Sequence, residues 1–433
     1  MKENNLFRLV LLTREQISSF GLFSNVVLLT FLKFVMENPE MIGDGNVNYK
    51  KVYEFRKIFD QAKEGKKLLQ TQDFELIFES VDENKSTTTE KMFFKDLASV
   101  YAKLFTKETG QSVLFKALND IELPNSTDEM KQFLENVLVA SVGDVKKTGE
   151  HTTNKSLRTL VAKILNVKEN ETFLDCFCGY SSMLLSLDNY SKYIGYDIDY
   201  NSYLTTVLVE LMLGKKKSNV VLGDFIESDT NGIADKVFSD APLGLRYSSL
   251  RPANDEYMNL SRDLNVIAIH KGVDALKEGG IAVFAVPSRA LTSVSRGYVE
   301  LRKRLAKSGL KAVIELPPMW AGTSIQTNLI VYQKGYKGNV KFISAISANK
   351  SPRNKLINVL LEQDIQCIIS DLESENTLSK HSISVDCRDV ICANTFLMSK
   401  YIHLENVSNK YRDVKTIDNE LNELYAKFNK NIL

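Results

Sequence analysis

Three apolar segments of the sequence each end in an aspartate, a residue type that suits the hydroxyl and amino groups of a nucleotide-like ligand. Asp175 ends Phe-Leu-Asp, Asp197 ends Tyr-Ile-Gly-Tyr-Asp, and Asp224 ends Val-Leu-Gly-Asp. Open α/β sheets bind ligands outside the carboxyl ends of their strands. The 22 residues from Asp175 to Asp197 match the spacing of an acid that accepts hydrogen bonds from ribose hydroxyls. An aspartate at a strand end also often caps the next helix, and each aspartate taken singly fits that alternative.

The segment that follows Asp175 reads Cys-Phe-Cys-Gly-Tyr-Ser-Ser. We predict that it opens a helix, whose first backbone N–H groups are unpaired, and Gly179 would let the backbone approach a ligand closely. A tight turn explains a single glycine equally well. After Asp224, the ring of Phe225 would give an adenine a flat apolar wall.

A fourth strand end reads Ser-Asp-Ala-Pro-Leu-Gly from 239 to 244. Here the sequence resembles the modification (M) subunits of type I restriction–modification systems, which are N6-adenine DNA methyltransferases. Their catalytic tetrapeptide is Asn-Pro-Pro-Phe or Asp-Pro-Pro-Tyr. The order of the further similar segments supports the resemblance: 28–34, 149–154, 279–288, 312–318, 322–328, 353–356 and 394–397.

The resemblance implies S-adenosylmethionine as the cofactor, double-stranded DNA as the substrate, and a separate specificity subunit as the partner that selects the sequence. In such enzymes the acid or amide and a backbone carbonyl hold the amino group of a flipped-out adenine, while the aromatic residue stacks on the base. The matching catalytic residues are Asp240, Ala241, Pro242 and Leu243. The matching cofactor-binding residues are His151, Thr152, Thr153, Asp175, Cys178, Gly179, Ser181, Asp197, Ile198, Asp224 and Phe225.

The departures from the family pattern fall in the two segments that carry chemistry. The family's cofactor loop, Asp-Pro-Ala-Cys-Gly-Ser-Gly-Gly, is Asp-Cys-Phe-Cys-Gly-Tyr-Ser-Ser here, so Tyr180 and Ser181 bring side chains close to the expected cofactor. Leu243 replaces an aromatic residue whose stacking on a base is worth ~1–3 kcal/mol. Tyr247 and Phe225 are candidates to replace it.

Two hypotheses follow from these residues. The chain is an active adenine-N6 methyltransferase with relaxed motifs, or it is a methyltransferase-fold subunit that has lost catalysis and serves as a DNA-binding or assembly scaffold. The acids Asp197 and Asp224 favour cofactor binding, whereas the changes at Tyr180, Ser181, Ala241 and Leu243 argue against turnover.

The elements that must position these residues change character along the chain. Apolar residues at helical spacing predict an N-terminal helical domain (1–140), with helices near 20–36, 53–61, 73–81, 91–106 and 128–139. Short strands then alternate with helices, which is typical of an α/β fold with a mostly parallel sheet. The strands are expected at 171–175, 193–197, 219–222, 236–239, 280–287, 310–316, 328–333 and 340–345, and the helices at 156–166, 201–213, 261–276 and 297–308.

Together with this α/β pattern, the resemblance to the M subunits implies a Rossmann-like class I methyltransferase domain (141–345) behind an N-terminal helical domain. A C-terminal helical extension (346–433) follows, with helices expected at 355–369 and 413–428. The apolar stripe of the last helix docks on the specificity subunit or packs on its own domain. The basic residues near 289–311 form either a face for the DNA backbone or a solvated helix surface.

The composition excludes several classes of protein. The 433 residues carry 55 Lys and Arg against 54 Asp and Glu, so the chain is not a strongly basic nucleic-acid coat. Its 44% hydrophobic residues are ordinary for a globular protein. Five cysteines without a CxxC pair predict a cytoplasmic protein, and we expect no membrane span or secretory signal. Four scattered histidines show no spacing of metal ligands.

Overall fold

The first part of the chain forms helices, and the second part forms a β-sheet with helices on both faces. The computed structural model describes residues 21–42, 46–81, 88–105, 108–141, 153–180, 182–189, 192–215, 219–248, 256–320, 324–345, 349–350, 358–374 and 381–402. The predicted cofactor residues His151, Thr152 and Ser181, and the predicted helix 413–428, lie outside the described residues.

The N-terminal helices confirm the helical periodicity of the sequence. They are α1 (Leu22–Glu37), α2 (Tyr49–Lys63), α3 (Thr71–Glu79), α4 (Thr88–Phe105), α5 (Glu108–Asp120) and α6 (Thr127–Ser141), of which α5 was not predicted. Helix α1 is buried over most of its 16 residues, which explains its apolar sequence. No helix in the described residues has the length and apolar character to cross a membrane.

Most of the remaining elements were predicted from the sequence, whereas several short strands and helices were not. The strands are β1 (Phe173–Asp175), β2 (Tyr193–Asp197), β3 (Val220–Leu222), β4 (Ala234–Ser239), β5 (Leu276–Pro287), β6 (Leu310–Glu315), β7 (Thr327–Gln333), β8 (Val340–Ser344), β9 (Asn349–Lys350), β10 (Asn358–Val359) and β11 (Ser382–Val385). The helices are α7 (Lys155–Leu165), α8 (Tyr200–Met212), α9 (Glu256–Leu260), α10 (Leu264–Asp274), α11 (Arg289–Thr292), α12 (Arg296–Ser308), α13 (Glu362–Glu373) and α14 (Cys387–Ala393).

In the described part of the chain the main sheet has nine strands in the order β11-β8-β6-β7-β5-β4-β1-β2-β3. Strands β1 to β5 pair in parallel, whereas β7 runs antiparallel between β5 and β6. Strand β11 adds an antiparallel edge beside β8. The prediction of a mostly parallel sheet is confirmed.

Alternate residues of the central strands face opposite layers, because successive side chains on a strand point to opposite faces. On one face, Phe238 and Val283 share a core with α7, α8 and the N-terminal helices. On the other face, Val237 and Phe284 pack with α10 and α12. Both faces of the sheet are thus covered, as the apolar character of β4 and β5 requires.

Two predicted helices differ from the structure. The helix expected over 261–276 begins only at Leu264, since Asp263 caps its start by accepting a hydrogen bond from the Asn265 N–H at 3.1 Å. The helix expected over 355–369 begins only at Glu362, after the short strand β10. In both places an aspartate side chain accepts a hydrogen bond from a backbone N–H at the start of the helix, which sets where the helix begins.

Candidate functional site

The carboxyl ends of β1, β2, β3 and β4 lie along one edge of the sheet, which is where the predicted site residues gather. Leu174 pairs with Ile194 of β2 on one side and with Val237 of β4 on the other. The chain therefore leaves the centre of the sheet in opposite directions at β1 and β4, which opens a crevice at the strand ends.

Asp175 is the most buried acid at this edge. The Tyr193 hydroxyl donates to its Oδ2 atom at 3.2 Å, while its buried Oδ1 atom has no hydrogen-bond partner among the described residues. Burial raises the pKa of the Asp175 carboxyl to about 7, against a smaller opposing effect of the Tyr193 hydrogen bond. An unsatisfied buried carboxylate oxygen is costly, and a cationic group placed beside it would relieve that cost.

The loop after β1 keeps the glycine geometry that the sequence predicts. Gly179 has a φ of +50°, and the direction of a Cβ there is open space. Its N–H donates to Asp197 Oδ2 at 2.9 Å, and its carbonyl accepts a hydrogen bond from the Thr206 hydroxyl at 2.8 Å. Cys178 is buried beneath the loop.

The prediction that a helix begins directly after this loop is wrong. In the described part of 176–192 the chain forms only turns and a short 3₁₀ helix, Leu184–Ser186. The Tyr180 ring is also buried, and it packs against Phe23 of α1 with ring centroids 5.9 Å apart.

Asp197 is the last residue of β2, and the sequence predicts it as a ribose-binding acid. Its Oδ1 atom accepts a hydrogen bond from the Asp199 N–H at 2.8 Å, and its Oδ2 atom accepts the one from Gly179. Burial raises the pKa of Asp197, partly offset by these backbone hydrogen bonds. The next side chain, Ile198, is 76% exposed, which is unusual for an isoleucine and leaves an apolar surface at the rim.

Asp224 serves as a cap as well as a strand-end acid. Its Oδ1 atom accepts a hydrogen bond from the Ile226 N–H at 2.8 Å, and its Oδ2 atom accepts one from the Tyr247 hydroxyl at 2.6 Å. Burial and this contact with Asp224 raise the pKa of Tyr247. The Phe225 ring is buried and packs edge-on against Phe177 and Tyr196, so it does not present the exposed wall that we expected.

Asp240 follows β4 and is held from two sides. The Thr153 hydroxyl donates to its Oδ2 atom at 2.8 Å, and the Trp320 indole N–H donates to its Oδ1 atom at 3.1 Å. Ala241 is buried, whereas Pro242 is exposed. Leu243 is partly buried and packs against the core, so no aromatic ring occupies its position.

The sequence reasoning missed Trp320, the residue that fixes Asp240. It is the only tryptophan in the chain and follows Pro317 and Pro318, one of the segments that resemble the family. A buried indole needs a hydrogen-bond acceptor for its N–H group. A lone tryptophan beside a family-like segment could therefore have been predicted to bond a polar residue of the site.

Arg158 was also missed, although it joins three parts of the site. Its guanidinium is buried and donates to both carboxylate oxygens of Glu135 in α6, each at 3.0 Å. It also donates to the Ser182 carbonyl in the loop after β1 and to the Thr153 carbonyl. Burial lowers the pKa of Arg158, and the Glu135 charge opposes that effect.

The basic residues near 289–311 do not form one face. Arg302 is buried and donates to the carbonyls of Ala290 and Ser293. Arg304 pairs with Asp274, and Lys303 pairs with Glu300. The sequence offered two alternatives for these residues, a continuous face for the DNA backbone and a solvated helix surface. Neither is correct for the whole set.

The order of the strands in the main sheet is that of the class I methyltransferase fold. The sequence profile of the N-6 DNA Methylase family matches residues 125–410, about two thirds of the chain. The chain belongs to this family.

Solved structures with the same fold include methyltransferase subunits of type I systems. The type I restriction-modification methyltransferase subunit from Streptococcus thermophilus superposes with a TM-score of 0.70 at 18% identity, covering 91% of this chain and 97% of that one. A modification subunit of a type I restriction enzyme from Vibrio vulnificus gives 0.62 at 13% identity, covering 90% and 93%. A chain from a type I R-M complex gives 0.60 at 15% identity, covering 98% of each chain. No curated protein matches the chain in sequence.

Proposed function

We propose that the chain is an M-type subunit that transfers a methyl group from S-adenosylmethionine to N6 of an adenine in double-stranded DNA. The observation that carries this proposal is Asp240, held by Thr153 and Trp320 at the end of β4 within an N-6 DNA methylase sequence. Type I systems, in which the solved structures with this fold take part, also suggest a specificity subunit as the partner.

The residues present fit S-adenosylmethionine at its methionine and ribose ends. The unpaired Oδ1 atom of Asp175 suits the cationic α-ammonium group, because it is buried and lacks a partner among the described residues. The backbone of Gly179 leaves open space where a side chain would stand, and Asp197 suits the ribose hydroxyls. At the adenine end, Ile198 offers apolar surface, while Asp224 is already bonded to Tyr247.

The cofactor, when bound, supplies an electrophilic methyl group, and the protein's own residues position the acceptor. Asp240 and the carbonyl of Ala241 accept hydrogen bonds from the adenine amino group, which directs the nitrogen lone pair toward the methyl group. Thr153 and Trp320 hold the Asp240 carboxylate in one orientation, so it need not reorganise during the reaction. Pro242 lies against the base.

The test is a calorimetric titration of S-adenosylmethionine into the full chain, with Asp197→Ala in parallel. We expect binding that the substitution abolishes. Methyl transfer from radiolabelled S-adenosylmethionine to DNA, assayed with and without Asp240→Ala, then tests turnover. Labelling that survives Asp240→Ala would contradict the proposed mechanism.

A second candidate is a scaffold subunit without turnover, and it is favoured by Leu243. This side chain packs against the core where the family has a stacking aromatic residue, and Phe225 is buried and does not replace it. Cofactor binding without any methyl transfer, in the presence of DNA and partner subunits, would support the scaffold.

The domain limits proposed from the sequence (1–140, 141–345 and 346–433) and the docking of the C-terminal extension on a partner also remain proposals. A cytoplasmic location rests on the cysteine usage and on the DNA substrate.

A further inference from the structure

Exposed arginines from three separate segments converge beside the catalytic edge of the sheet. Arg246 follows the catalytic segment, Arg262 precedes α10, Arg289 begins α11, and Arg296 begins α12. All four side chains are exposed. Their proximity was not visible in the sequence, where 50 residues separate the first from the last.

Asp263 holds these segments together. Arg246 and Asp263 form an antiparallel β-bridge, and the Tyr247 N–H donates to the Arg262 carbonyl at 2.7 Å. The Asp263 carboxylate also forms an ion pair with Arg289 at 2.7 Å. It accepts a hydrogen bond from the Tyr298 hydroxyl at 2.9 Å.

The start of α12 is packed against the same point. A Cβ placed on Gly297 would lie only 2.5 Å from the Ser261 Cβ atom, so the glycine permits this close approach. Arg296 is thereby fixed next to the segment that carries Arg262.

The charge of this cluster is not balanced within the described residues. Asp263 is half-buried and already compensated by Arg289. The guanidinium groups of Arg246, Arg262 and Arg296 form no hydrogen bond or ion pair with any residue that the structure describes. Exposed, unpaired arginines held by a rigid backbone are suited to bind a polyanion.

The cluster adjoins the catalytic segment. The Leu264 N–H donates to the Leu245 carbonyl at 3.1 Å, and Asn265 Nδ2 lies 3.5 Å from the Pro242 carbonyl oxygen. A strand whose base reaches Asp240 would therefore carry its phosphates past these arginines.

We propose that Arg246, Arg262 and Arg296, the arginine cluster, bind backbone phosphates of double-stranded DNA next to the target nucleotide. The proposal rests on the proposed function, since it takes DNA as the substrate. The planar guanidinium fork matches phosphate oxygens in a bidentate manner, and these contacts position the duplex without reading its sequence.

The experiment measures binding of the full-length chain to a fluorescein-labelled DNA duplex by anisotropy. The triple variant Arg246→Gln, Arg262→Gln and Arg296→Gln is compared with the unsubstituted chain between about 50 and about 200 mM salt. We expect weaker binding at low salt, and the slope of log K against log salt to fall by about 2 to 3, since each lost phosphate contact removes about 0.9.

The matched control removes three exposed lysines from the N-terminal helices: Lys57→Gln, Lys95→Gln and Lys116→Gln. It loses the same charge and is expected to leave the slope unchanged. An equal loss in both variants, an unchanged slope in the arginine variant, or no duplex binding by the unsubstituted chain would each overturn the proposal.

Melting temperatures check that each variant folds, and single substitutions replace the triple variant if it does not. Duplex binding that depends on the cluster, without any methyl transfer, would leave this inference standing and remove the proposed function. Methyl transfer to DNA, together with a duplex affinity that does not depend on the arginine cluster, would support the proposed function and overturn this inference.

Discussion

Asp175 and Asp240 follow neighbouring strands, yet their surroundings give them different properties. Asp240 is partly exposed, and hydrogen-bond donors from Thr153 and Trp320 reach both of its oxygens. Asp175 is buried, with a donor to one oxygen only, and burial raises its pKa to about 7. At the residue scale, the site therefore has one oriented carboxylate and one whose charge depends on pH.

The raised pKa of Asp175 predicts a specific dependence of stability on pH. An unfolded aspartate has a pKa of about 3.9, so between about pH 4 and about 7 the native chain holds a proton that the unfolded chain has released. The stabilisation that this proton gives is complete below about pH 4 and is lost as pH rises through about 7. We expect Asp175→Asn to gain stability relative to the unsubstituted chain across this interval, measured by urea unfolding.

Asp235→Asn is the control of opposite sign. Burial alone would raise the pKa of Asp235, but hydrogen bonds from Lys277 and the Thr172 N–H outweigh it and lower the pKa. Its contribution is present at neutral pH and is lost on acidification. A parallel pH response of the two variants would contradict the assignment to Asp175.

At the scale of elements, Arg158 connects helix α6 to both loops of the site. The pair that it forms with Glu135 is buried on both sides, with 1% and 7% of the side chains exposed. The same guanidinium donates to the Ser182 carbonyl in the loop after β1 and to the Thr153 carbonyl. A shift of α6 would therefore move that loop and Thr153, whose hydroxyl donates to Asp240.

We expect Arg158→Met to lower the free energy of unfolding by about 3–5 kcal/mol, because it leaves the Glu135 carboxylate buried without its partner. The double variant Glu135→Leu, Arg158→Met should recover much of this loss, since both charges are then removed. Urea unfolding measures both. A single substitution costing less than about 1 kcal/mol would show that Glu135 is not desolvated.

Tyr247 links the segment after Asp240 to the adenine end of the expected cofactor site. Its hydroxyl donates to the Asp224 oxygen that would otherwise accept a hydrogen bond from the cofactor adenine. We expect Tyr247→Phe to bind S-adenosylmethionine several-fold more tightly in calorimetry, because the Oδ2 atom of Asp224 can then accept a hydrogen bond from the cofactor. Tyr257→Phe, which removes a tyrosine bonded to Asp274 away from the site, is the control. Weaker binding by Tyr247→Phe would mean that the hydroxyl contacts the cofactor.

At the scale of the whole molecule, the N-terminal helices and the sheet share one apolar core. Helix α1 packs on α8, and the Thr205 hydroxyl donates to the buried Ser24 hydroxyl at 2.8 Å. Phe23 also covers Tyr180 in the loop after β1. The helices are thus part of the wall behind the site.

This shared core predicts cooperative unfolding. Separating the helices from the sheet would expose the apolar faces of α1 and α8 together, so neither part is expected to melt first. Differential scanning calorimetry should show a single transition, and Phe23→Ala should shift all of it to lower temperature. Two resolved transitions, with only one shifted, would show that residues 1–140 fold as an independent domain.

The local character of the elements followed from the sequence because it depends on neighbouring residues. Strand β2 was predicted with its observed ends, and most helices within a few residues, since side-chain periodicity sets which face is buried. Strands β9, β10 and β11 and helices α5, α9, α11 and α14 were missed. The strand β11 depends on pairing with β8, which is distant in sequence.

The sequence by itself determined the fold class, the family and the acids at the strand ends, because these depend on residue type, spacing and order. The tertiary structure alone decided what surrounds each acid: Trp320 and Thr153 on Asp240, Tyr247 on Asp224, and Arg158 between α6 and the cofactor loop. These contacts join residues far apart in the chain. Their partners are selected by burial and hydrogen-bonding need within the folded protein, which no local pattern specifies.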